Sequence, residues 1–253
     1  MIRKTIRRLE REAFLTTPLG IVVSPVYLIR DGLHRAIRSF APGISGRVLD
    51  FGCGSKPYET LFDSATSYTG VDIAVSGHDH RKSRIDVFYD GRTLPFADST
   101  FDSALCFEVF EHVFDIDHLL TELVRVLRPG GKLLLSIPFA WGEHEAPFDF
   151  ARYTSFGINA TLSRNGFTVI SAVKTTTFVR ALAQLFIDYL ARLVLPQGQV
   201  VKRMLQLILI FPLNLLAIAV DWLLPARYEY YCNSVVLVEK PKGPTARKSV
   251  PSA

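Results

Sequence analysis

A dense run of titratable and aromatic side chains follows the apolar segment KLLLSIPF at residues 132–139. It includes His144, Asp149, Arg152 and Tyr153. An imidazole has an unperturbed pKa of about 6.5, so it can accept a proton from a hydroxyl group at neutral pH. We therefore take His144 as the candidate general base and Asp149, Arg152 and Tyr153 as candidate substrate contacts. The alternative for Asp149 and Arg152 is a structural ion pair.

A second group of residues lies where the first two predicted strands end. Asp50 is followed by the small residues Gly52, Cys53 and Gly54, and Asp72 closes the second strand. Small residues let the backbone approach a ligand at the carboxyl end of a parallel strand. An acid at the end of the second strand can accept both hydroxyls of a ribose. Together these features predict an adenosine ligand, and the lack of a G-x-G-x-x-G loop argues against a dinucleotide.

Glu108, Glu111 and His112 have i, i+3, i+4 spacing in the segment FEVFEH. On a helix this spacing places the three side chains on one face. Two interpretations stay open, a metal site and a helix-start cluster of solvated acids beside a histidine. We expect the second and predict no bound metal, with Glu111 and His112 as candidate substrate contacts.

The elements that position these residues begin near Arg47, where short apolar segments alternate with helical periodicity. This alternation predicts a parallel sheet with crossover helices. Strands are predicted at 47–51, 67–73, 83–89, 101–107, 132–139, 167–173 and 228–240. Between the fourth and fifth strands, helical spacing of apolar residues predicts a helix over 116–127. Another is predicted over 154–167 with Thr154 as its N-cap. We expect two further helices upstream of the sheet, over 1–16 and 25–40.

Composition and charge narrow the class of protein. Of the 253 residues, 49% are hydrophobic and 21% charged, which is enough to bury a full core. Three cysteines without paired spacing predict neither disulfides nor a zinc site, and fit a reduced, cytoplasmic protein. Residues 1–12 carry +3 and residues 240–253 carry +4 of the net charge of +5, which leaves −2 between them. Because that body is not basic, no nucleic-acid partner is expected, whereas two basic ends suit an anionic membrane surface.

A long apolar insertion separates the sixth and seventh predicted strands, where a compact domain would use a short loop. Polar residues recur at every fourth position of its first helix, from Arg180 to Arg192. A polar stripe on an apolar helix is typical of helices that lie in a membrane interface or pack on a partner. Peripheral membrane contact, a homodimer or lid through 178–224, and ordinary core remain open. A single membrane span is excluded, because both flanking strands join one sheet.

The predicted organisation has four parts: N-terminal helices at 1–46, a sheet domain at 47–177 and 228–240, the hydrophobic helical insertion at 178–227, and a basic disordered tail at 241–253.

Five short motifs follow one another between residues 48 and 139. They are D-F-G-C-G at 50–54, the acid Asp72, D-G-R-T-L-P-F at 90–96, F-D at 101–102 and R-V-L-R-P-G-G at 125–131. In this order they resemble the class I S-adenosylmethionine-dependent methyltransferases of the small-molecule and lipid-precursor type. The resemblance implies an α/β fold with a Rossmann-like, doubly wound sheet of seven strands, mostly parallel with an antiparallel last strand. It also implies S-adenosylmethionine as the cofactor.

The resemblance assigns roles to individual residues. The implied cofactor-binding residues are Asp50, Gly52, Cys53, Gly54, Asp72, Ile73, Asp90, Gly91, Phe107 and Glu108. Asp72 would hold the ribose hydroxyls, Asp90 would accept from the adenine amine, and Glu108 would lie near the methyl donor. Families with a third glycine in the first loop have it near the position of Lys56, so the loop must take a different course there.

Two further similarities concern the acceptor. The E-x-x-E-H segment is similar to one in the O-methyltransferases of ubiquinone biosynthesis, in which a divalent metal has been inferred. H-E-x-P-x-D-F-x-R-Y-T at 144–154 resembles a methyltransferase subgroup found beside surface-glycan and lipid genes. The resemblance implies methyl transfer to a small-molecule or lipid-linked acceptor, with oxygen as the expected atom. A non-catalytic, cofactor-binding membrane or partner module is the alternative. We expect a cytoplasmic protein, held peripherally on the inner face of the membrane.

Overall fold

The computed structural model describes residues 18–74, 83–194 and 199–243. Within them the chain forms two compact units. We name them the sheet unit, residues 38–173 and 234 onward, and the helical unit, residues up to 37 and 174–233. The helical unit thus unites N-terminal helices with the apolar insertion, two segments that are far apart in the sequence. The predicted helix over 1–16 lies outside the described residues.

One seven-stranded sheet forms the centre of the sheet unit. Its strands are β1 (Gly46–Phe51), β2 (Ala65–Ile73), β3 (Val87–Tyr89), β4 (Phe101–Phe107), β5 (Leu127–Pro138), β6 (Thr168–Lys174) and β7 (Asn233–Glu239). They lie in the order β3-β2-β1-β4-β5-β7-β6. The pairs among β1 to β5 are parallel and the last strands are antiparallel. The predicted Rossmann-like α/β fold is confirmed.

Two strands begin later than their apolar patterns predict. β3 begins at Val87 instead of 83, because Asp86 already binds both backbone groups of Gly70 on the neighbouring strand β2. Its backbone N–H donates to Gly70 O (3.0 Å), and its carboxylate accepts from Gly70 N (2.7 Å). β7 begins at Asn233 instead of 228, since the hydroxyl of Thr176 accepts the backbone N–H of the preceding residue (2.8 Å). In both places a side chain takes the place of a strand partner.

The helices are α1 (Pro18–Val23), α2 (Tyr27–Phe40), α3 (Ile116–Val126), α4 (Ser155–Arg164), α5 (Phe178–Val194), α6 (Gln199–Leu205) and α7 (Phe211–Leu223), with a π-helical turn at Gln206–Ile210 between the last two. In the sheet unit, α3 turns Leu119, Leu120 and Leu123 into the apolar core. α4 starts as predicted, because Thr154 Oγ1 accepts the N–H of Gly157 (3.0 Å) and so satisfies one free donor of its first turn.

The strand order also locates the ligand-binding edge of the sheet. Successive strands build outward from β1 in one direction and from β4 in the other, so the order reverses between these neighbours. Open α/β sheets bind ligands beyond the carboxyl ends of the strands at such a reversal. The glycine loop follows β1, and Phe107 and Glu108 close β4.

Buried amide side chains hold the helical unit together. Gln184 on α5 accepts the N–H of Ile29 (3.1 Å) and donates to Pro25 O (2.8 Å). Asn214 on α7 donates to the carbonyls of Ile21 (2.9 Å) and Ser24 (3.2 Å). Both amides are fully buried. Helix ends leave backbone N–H and C=O groups without partners in the helix. The two amides supply hydrogen bonds to such groups near the end of α1 and the start of α2.

Many large apolar side chains of the helical unit point outward, around a small buried core of Leu28, Ile187, Ala191, Ile210 and Ala217. On α5 the polar stripe predicted from Arg180 to Arg192 begins on the inside, where Arg180 bonds Asp221 (2.6 Å). The opposite face carries Phe186, 53% exposed, and Tyr189, 62% exposed. Other large apolar side chains that are exposed in this unit are Leu182, Leu193, Met204, Leu207, Ile208, Leu215, Leu216, Trp222 and Leu223. Among the described residues, Gln206–Leu223 is the one helical stretch with the length and apolar composition to cross a membrane, and 22% of it is buried.

Candidate cofactor and acceptor site

The loop after β1 is held open for a ligand by its glycines. Gly52 has φ 68°, and a Cβ there would meet Val109 Cγ2 at 2.3 Å, so no larger residue fits. Gly54 has φ 45°, and a Cβ there would meet no atom within 4 Å. The backbone at Gly54 therefore faces open space, where a ligand can lie directly against it. Cys53 between them is buried, and burial raises the pKa of its thiol to about 12, so the loop carries a neutral thiol.

Asp50 is a buried acid near the end of β1, just before this loop. Tyr68 donates its hydroxyl to Asp50 Oδ2 (2.7 Å). Burial raises the pKa of Asp50 to about 7, and the Tyr68 hydrogen bond opposes the rise. Tyr68 was not predicted as the partner of Asp50, because the contact joins two strands.

Lys56 explains how the loop proceeds without a third glycine. It adopts φ 54°, a left-handed conformation, and its ammonium is buried against Asp86, which also accepts from Gly70 N (2.7 Å). The Lys56–Asp86 pair thus fastens the loop to β2 and to the segment before β3. Lys56 was predicted to change the course of the loop, whereas Asp86 was not predicted as its partner.

Asp72 lies where the motif order places it, at the end of β2 beside the glycine loop. Its Oδ2 accepts the N–H of Gly54 (3.1 Å), and its Oδ1 accepts the N–H of Ile73 (2.9 Å). A carboxylate offers about four lone-pair sites, so two remain for ribose hydroxyls. Asp72, Ile73 and Gly54 are therefore brought together as predicted.

Asp90 and Gly91 form a tight turn after β3. Asp90 Oδ1 accepts the N–H groups of Arg92 (2.8 Å) and Thr93 (2.9 Å). These backbone hydrogen bonds lower the pKa of Asp90. One carboxylate oxygen thus fixes the turn, and the other oxygen is the one that would accept from an adenine amine.

Glu108 does not share a helical face with Glu111 and His112. It has φ 54° and accepts the Ser136 hydroxyl at 2.6 Å, whereas a 3₁₀ turn begins at Phe110. The left-handed residue ends β4 and breaks the helical register, which overturns the common face expected from the spacing. Phe107, just before it, packs edge-on against Tyr58 with ring centroids 5.2 Å apart.

His144 is oriented by Asp149. Its backbone N–H donates to Asp149 Oδ2 (2.9 Å), and Nδ1 lies 3.3 Å from the same oxygen. Arg152 binds both carboxylate oxygens of Asp149, at 2.5 and 2.7 Å, which lowers the pKa of that carboxyl. Arg152 also donates to the carbonyls of Trp141 (3.3 Å) and Gly142 (3.2 Å). The structure therefore contains the Asp149–Arg152 ion pair.

His112 and Glu111 meet the His144 loop from the other side. The rings of His112 and His144 lie edge to face with centroids 4.8 Å apart, and the Glu111 carboxylate is fully buried beside them. Tyr153, the last candidate substrate contact, packs against the apolar core instead of joining this group.

The residues around the glycine loop fit an adenosine cofactor with a sulfonium group. Gly54 leaves room against the backbone, and Asp72 supplies acceptors for two hydroxyls. The buried Lys56 ammonium is already paired with Asp86. A cofactor without phosphate suits such a loop, because no cation is directed at a phosphate there.

Comparison with known proteins agrees with this fit. Residues 49–135 match the family described as methyltransferase domain. An O-methyltransferase, rstn1, from Aspergillus nomiae is 29% identical over 55% of this chain and 72% of its own length. A ubiquinone/menaquinone biosynthesis C-methyltransferase, UbiE, from Haemophilus ducreyi is 27% identical over 52% of this chain and 60% of its own length. This chain thus spans less than two thirds of the second relative.

A solved structure shares the fold. Phosphoethanolamine N-methyltransferase 2 from Haemonchus contortus, in complex with S-adenosyl-L-methionine, superposes with a TM-score of 0.51 at 20% identity, over 83% of this chain and 52% of that one. The family match, the strand order and the residues around the glycine loop together identify residues 49–135 as a class I S-adenosylmethionine-dependent methyltransferase domain, with S-adenosylmethionine as its cofactor.

Proposed function

We propose that this protein transfers a methyl group from S-adenosylmethionine to an oxygen of a small apolar or lipid-linked acceptor. The observation that carries the proposal is the His144 imidazole, oriented by Asp149 on the loop after β5. β5 neighbours β4 in the sheet, and the glycine loop follows β1 on the other side of β4. A proton acceptor and a cofactor loop thus lie at the same edge of one sheet.

The cofactor, when bound, supplies a methyl group activated by a positively charged sulfur. The chain supplies binding and proton transfer. Asp72 and the Gly54 backbone hold the ribose, and Asp90 holds the adenine. His144 takes the proton of the acceptor hydroxyl at Nε2, because Asp149 engages Nδ1 and so fixes the tautomer. Relatives named as an O-methyltransferase and a quinone C-methyltransferase support a small-molecule acceptor, and the imidazole favours oxygen over carbon.

We propose further that the helical unit places the protein on the cytoplasmic face of a membrane. Its outward face carries Phe186, Tyr189, Leu216 and Trp222, the last of them 83% exposed. An apolar patch of this size on a soluble protein marks a contact site. The net charges of +3 over residues 1–12 and +4 over residues 240–253 favour anionic lipid headgroups. A homodimer through 178–224 is the competing explanation of the same surface.

Cofactor binding is tested by calorimetric titration with S-adenosylhomocysteine. We expect a dissociation constant in the micromolar range for the wild type and a loss of at least about 100-fold in Asp72→Ala, since two hydrogen bonds to a charged group are removed at about 1.5–3 kcal/mol each. Asp63→Ala, which removes an exposed acid just before β2, is the matched control and should bind as the wild type does. No binding by the wild type would refute the proposed activity.

The acceptor class is tested by incubating the protein with methyl-labelled S-adenosylmethionine and separate lipid and water-soluble extracts. We expect label in the lipid fraction, and a drop of about 100-fold or more in His144→Ala, with His118→Ala on α3 as control. Cofactor binding without label in any fraction would favour the non-catalytic module. Two measurements separate membrane contact from a homodimer. Co-flotation with anionic vesicles would support membrane contact, and a dimer in the absence of vesicles would support the homodimer.

A further inference from the structure

A buried carboxylate, that of Glu111, has no hydrogen-bond partner among the described residues and lies beside two imidazoles at the acceptor side of the site, with Oε1 3.7 Å from Nε2 of His112. Each of Glu111, His112 and His144 offers one ligand atom, and these atoms lie within 4.8 Å of one another. We propose that the three side chains bind a divalent transition-metal ion of the Zn²⁺ class. Two imidazole nitrogens and one carboxylate oxygen are a ligand set that leaves a fourth position open.

Glu111 points to a missing positive partner. Its side chain is fully buried, and among the described residues neither of its carboxylate oxygens has a hydrogen-bond partner. A buried polar group without a partner costs about 1–3 kcal/mol, and more when it is charged. A metal ion bound to Glu111 would remove this cost, because it would place a positive charge in direct contact with the carboxylate oxygens.

The two histidines are held in the orientation that metal ligands need. His112 Nδ1 lies 2.7 Å from the carbonyl oxygen of Phe148. Since a carbonyl can only accept, Nδ1 carries the proton and Nε2 keeps its lone pair. Nδ1 of His144 lies 3.3 Å from Asp149 Oδ2 and from Gly142 O, which leaves Nε2 of that ring free in the same way. In the same manner, a histidine that ligates a metal donates a hydrogen bond from its second ring N–H to a carboxylate or carbonyl oxygen.

The ligand set differs from the E-x-x-E-H segment. Glu108, the first acid of that segment, accepts the Ser136 hydroxyl (2.6 Å) and ends β4. His144, which replaces it, comes from the loop after β5, 32 positions beyond His112. Two nitrogen ligands favour zinc over magnesium, which prefers oxygen ligands and keeps several waters.

The role of the ion rests on the proposed function, but its binding does not. At the open position the ion would bind the acceptor oxygen and lower the pKa of its hydroxyl. It would also occupy Nε2 of His144, so a metal ligand and a general base cannot be the same imidazole in one molecule. Metal titration therefore decides which of the two activates the acceptor.

The experiment uses full-length protein, dialysed against a chelator and then against buffer, without cofactor or acceptor. Zn²⁺ binding is followed by calorimetry, and Co²⁺ binding by its visible absorption, which reports nitrogen ligation at a four- or five-coordinate site. We expect one ion per chain. His144→Ala and the isosteric Glu111→Gln should each lower the affinity by at least about 100-fold, with folding verified by circular dichroism.

Two controls address the ligand set. His118→Ala removes a histidine from α3, and Glu108→Gln removes the first acid of E-x-x-E-H; both should bind Zn²⁺ as the wild type does. Loss in Glu108→Gln together with wild-type affinity in His144→Ala would overturn the assignment, as would the absence of stoichiometric binding. Neither result touches the proposed function, because S-adenosylhomocysteine binding and methyl transfer are measured separately in chelator-treated protein.

Discussion

The two units of this protein differ in the size of their apolar cores and in how many large apolar side chains they leave exposed. The sheet unit packs leucine, isoleucine and valine between its strands and helices, as Leu49, Leu120 and Leu133 show with no exposed surface. The helical unit buries the amides of Gln184 and Asn214 and leaves Phe186 and Trp222 outside. Apolar area removed from water stabilises the first. The second combines a small apolar core with hydrogen bonds to helix ends, and much of its apolar area remains exposed.

This difference teaches how an exposed apolar surface can coexist with a defined fold. A helix with an apolar face would normally turn that face inward. In the helical unit part of the inward surface is polar, because Gln184 and Asn214 bond backbone groups in and around the turn between α1 and α2. The rest of that surface is a small apolar core that includes Ile187 on α5 and Ala217 on α7, while larger apolar side chains of the same helices are directed outward. The surface is therefore a consequence of how the helices are joined.

The largest effect should come from Asp50, a buried acid within the otherwise apolar interior of the sheet unit. Its pKa is about 7 when folded and 3.8 as the ordinary value, and each unit of difference amounts to about 1.4 kcal/mol. Between pH 4 and 7 the folded state holds a proton that the unfolded state has lost. Stability is therefore lost as pH rises through this range, by about 4 kcal/mol in total.

Denaturant unfolding from pH 4 to pH 8 measures this effect. Asp50→Asn keeps an acceptor for Tyr68 and cannot titrate, so its stability should exceed that of the wild type at pH 8 and approach it at pH 4. Asp90→Asn, at an exposed turn, is the control and should leave the stability difference between pH 5 and 8 unchanged. Parallel pH profiles for wild type and Asp50→Asn would show that Asp50 is not the buried titrating acid.

The second effect is on the outward face of the helical unit. The triple variant Leu182→Ser, Phe186→Ser and Leu216→Ser should weaken binding to anionic vesicles by about 100-fold. Each side chain is about half exposed. Burial of its exposed apolar surface in lipid would contribute roughly 1 kcal/mol to the free energy of binding. The unfolding midpoint should change little, because none of the three lies in a core. Flotation with vesicles and denaturant unfolding measure both quantities.

A matched control changes the same number of exposed large apolar residues in the sheet unit, Phe88→Ser, Phe114→Ser and Phe156→Ser. Vesicle binding should be unaffected by these changes. Equal losses in both triple variants would mean that exposed apolar residues act without regard to the unit that carries them, and the contrast between the two surfaces would fail.

The third effect is on the inward face of the same unit. Gln184→Met keeps the size of the side chain and removes both hydrogen bonds, so the N–H of Ile29 and the carbonyl of Pro25 lose their partner. We expect a loss of about 2 kcal/mol in stability, measured by thermal or chemical unfolding. Leu182→Met, on the exposed face of the same helix, should change stability by less than about 0.5 kcal/mol. A neutral Gln184→Met would show that apolar contacts, and not the amide, hold the unit.

The two units also differ in what their sequence revealed. In the sheet unit, apolar strands and their order along the chain predicted the fold, and motif order placed Asp72 beside Gly54, because these depend on local pattern. Tyr68 and Asp86 were not predicted, since their partners lie on other strands. His144 was predicted to be the base, and this role stays a prediction. Its proximity to His112 was not predicted, because Glu108 adopts a left-handed conformation that hydrophobic periodicity does not reveal. In the helical unit the sequence showed a polar stripe but not that it faces inward.

The smallest effect tests whether helix caps in the two units differ in how much they stabilise the protein. In the sheet unit α4 is capped by its own neighbour, Thr154, three residues from Gly157, whereas α2 receives its cap from Gln184, 155 residues away. Thr154→Ala should cost about 1 kcal/mol, less than Gln184→Met, and Thr154→Ser should restore it. The ratio of the two stability losses is more informative than either loss alone. A local cap stabilises one helix, whereas a distant cap also joins two segments of the chain. If Thr154→Ala cost as much as Gln184→Met, the buried amide would be a cap and nothing more.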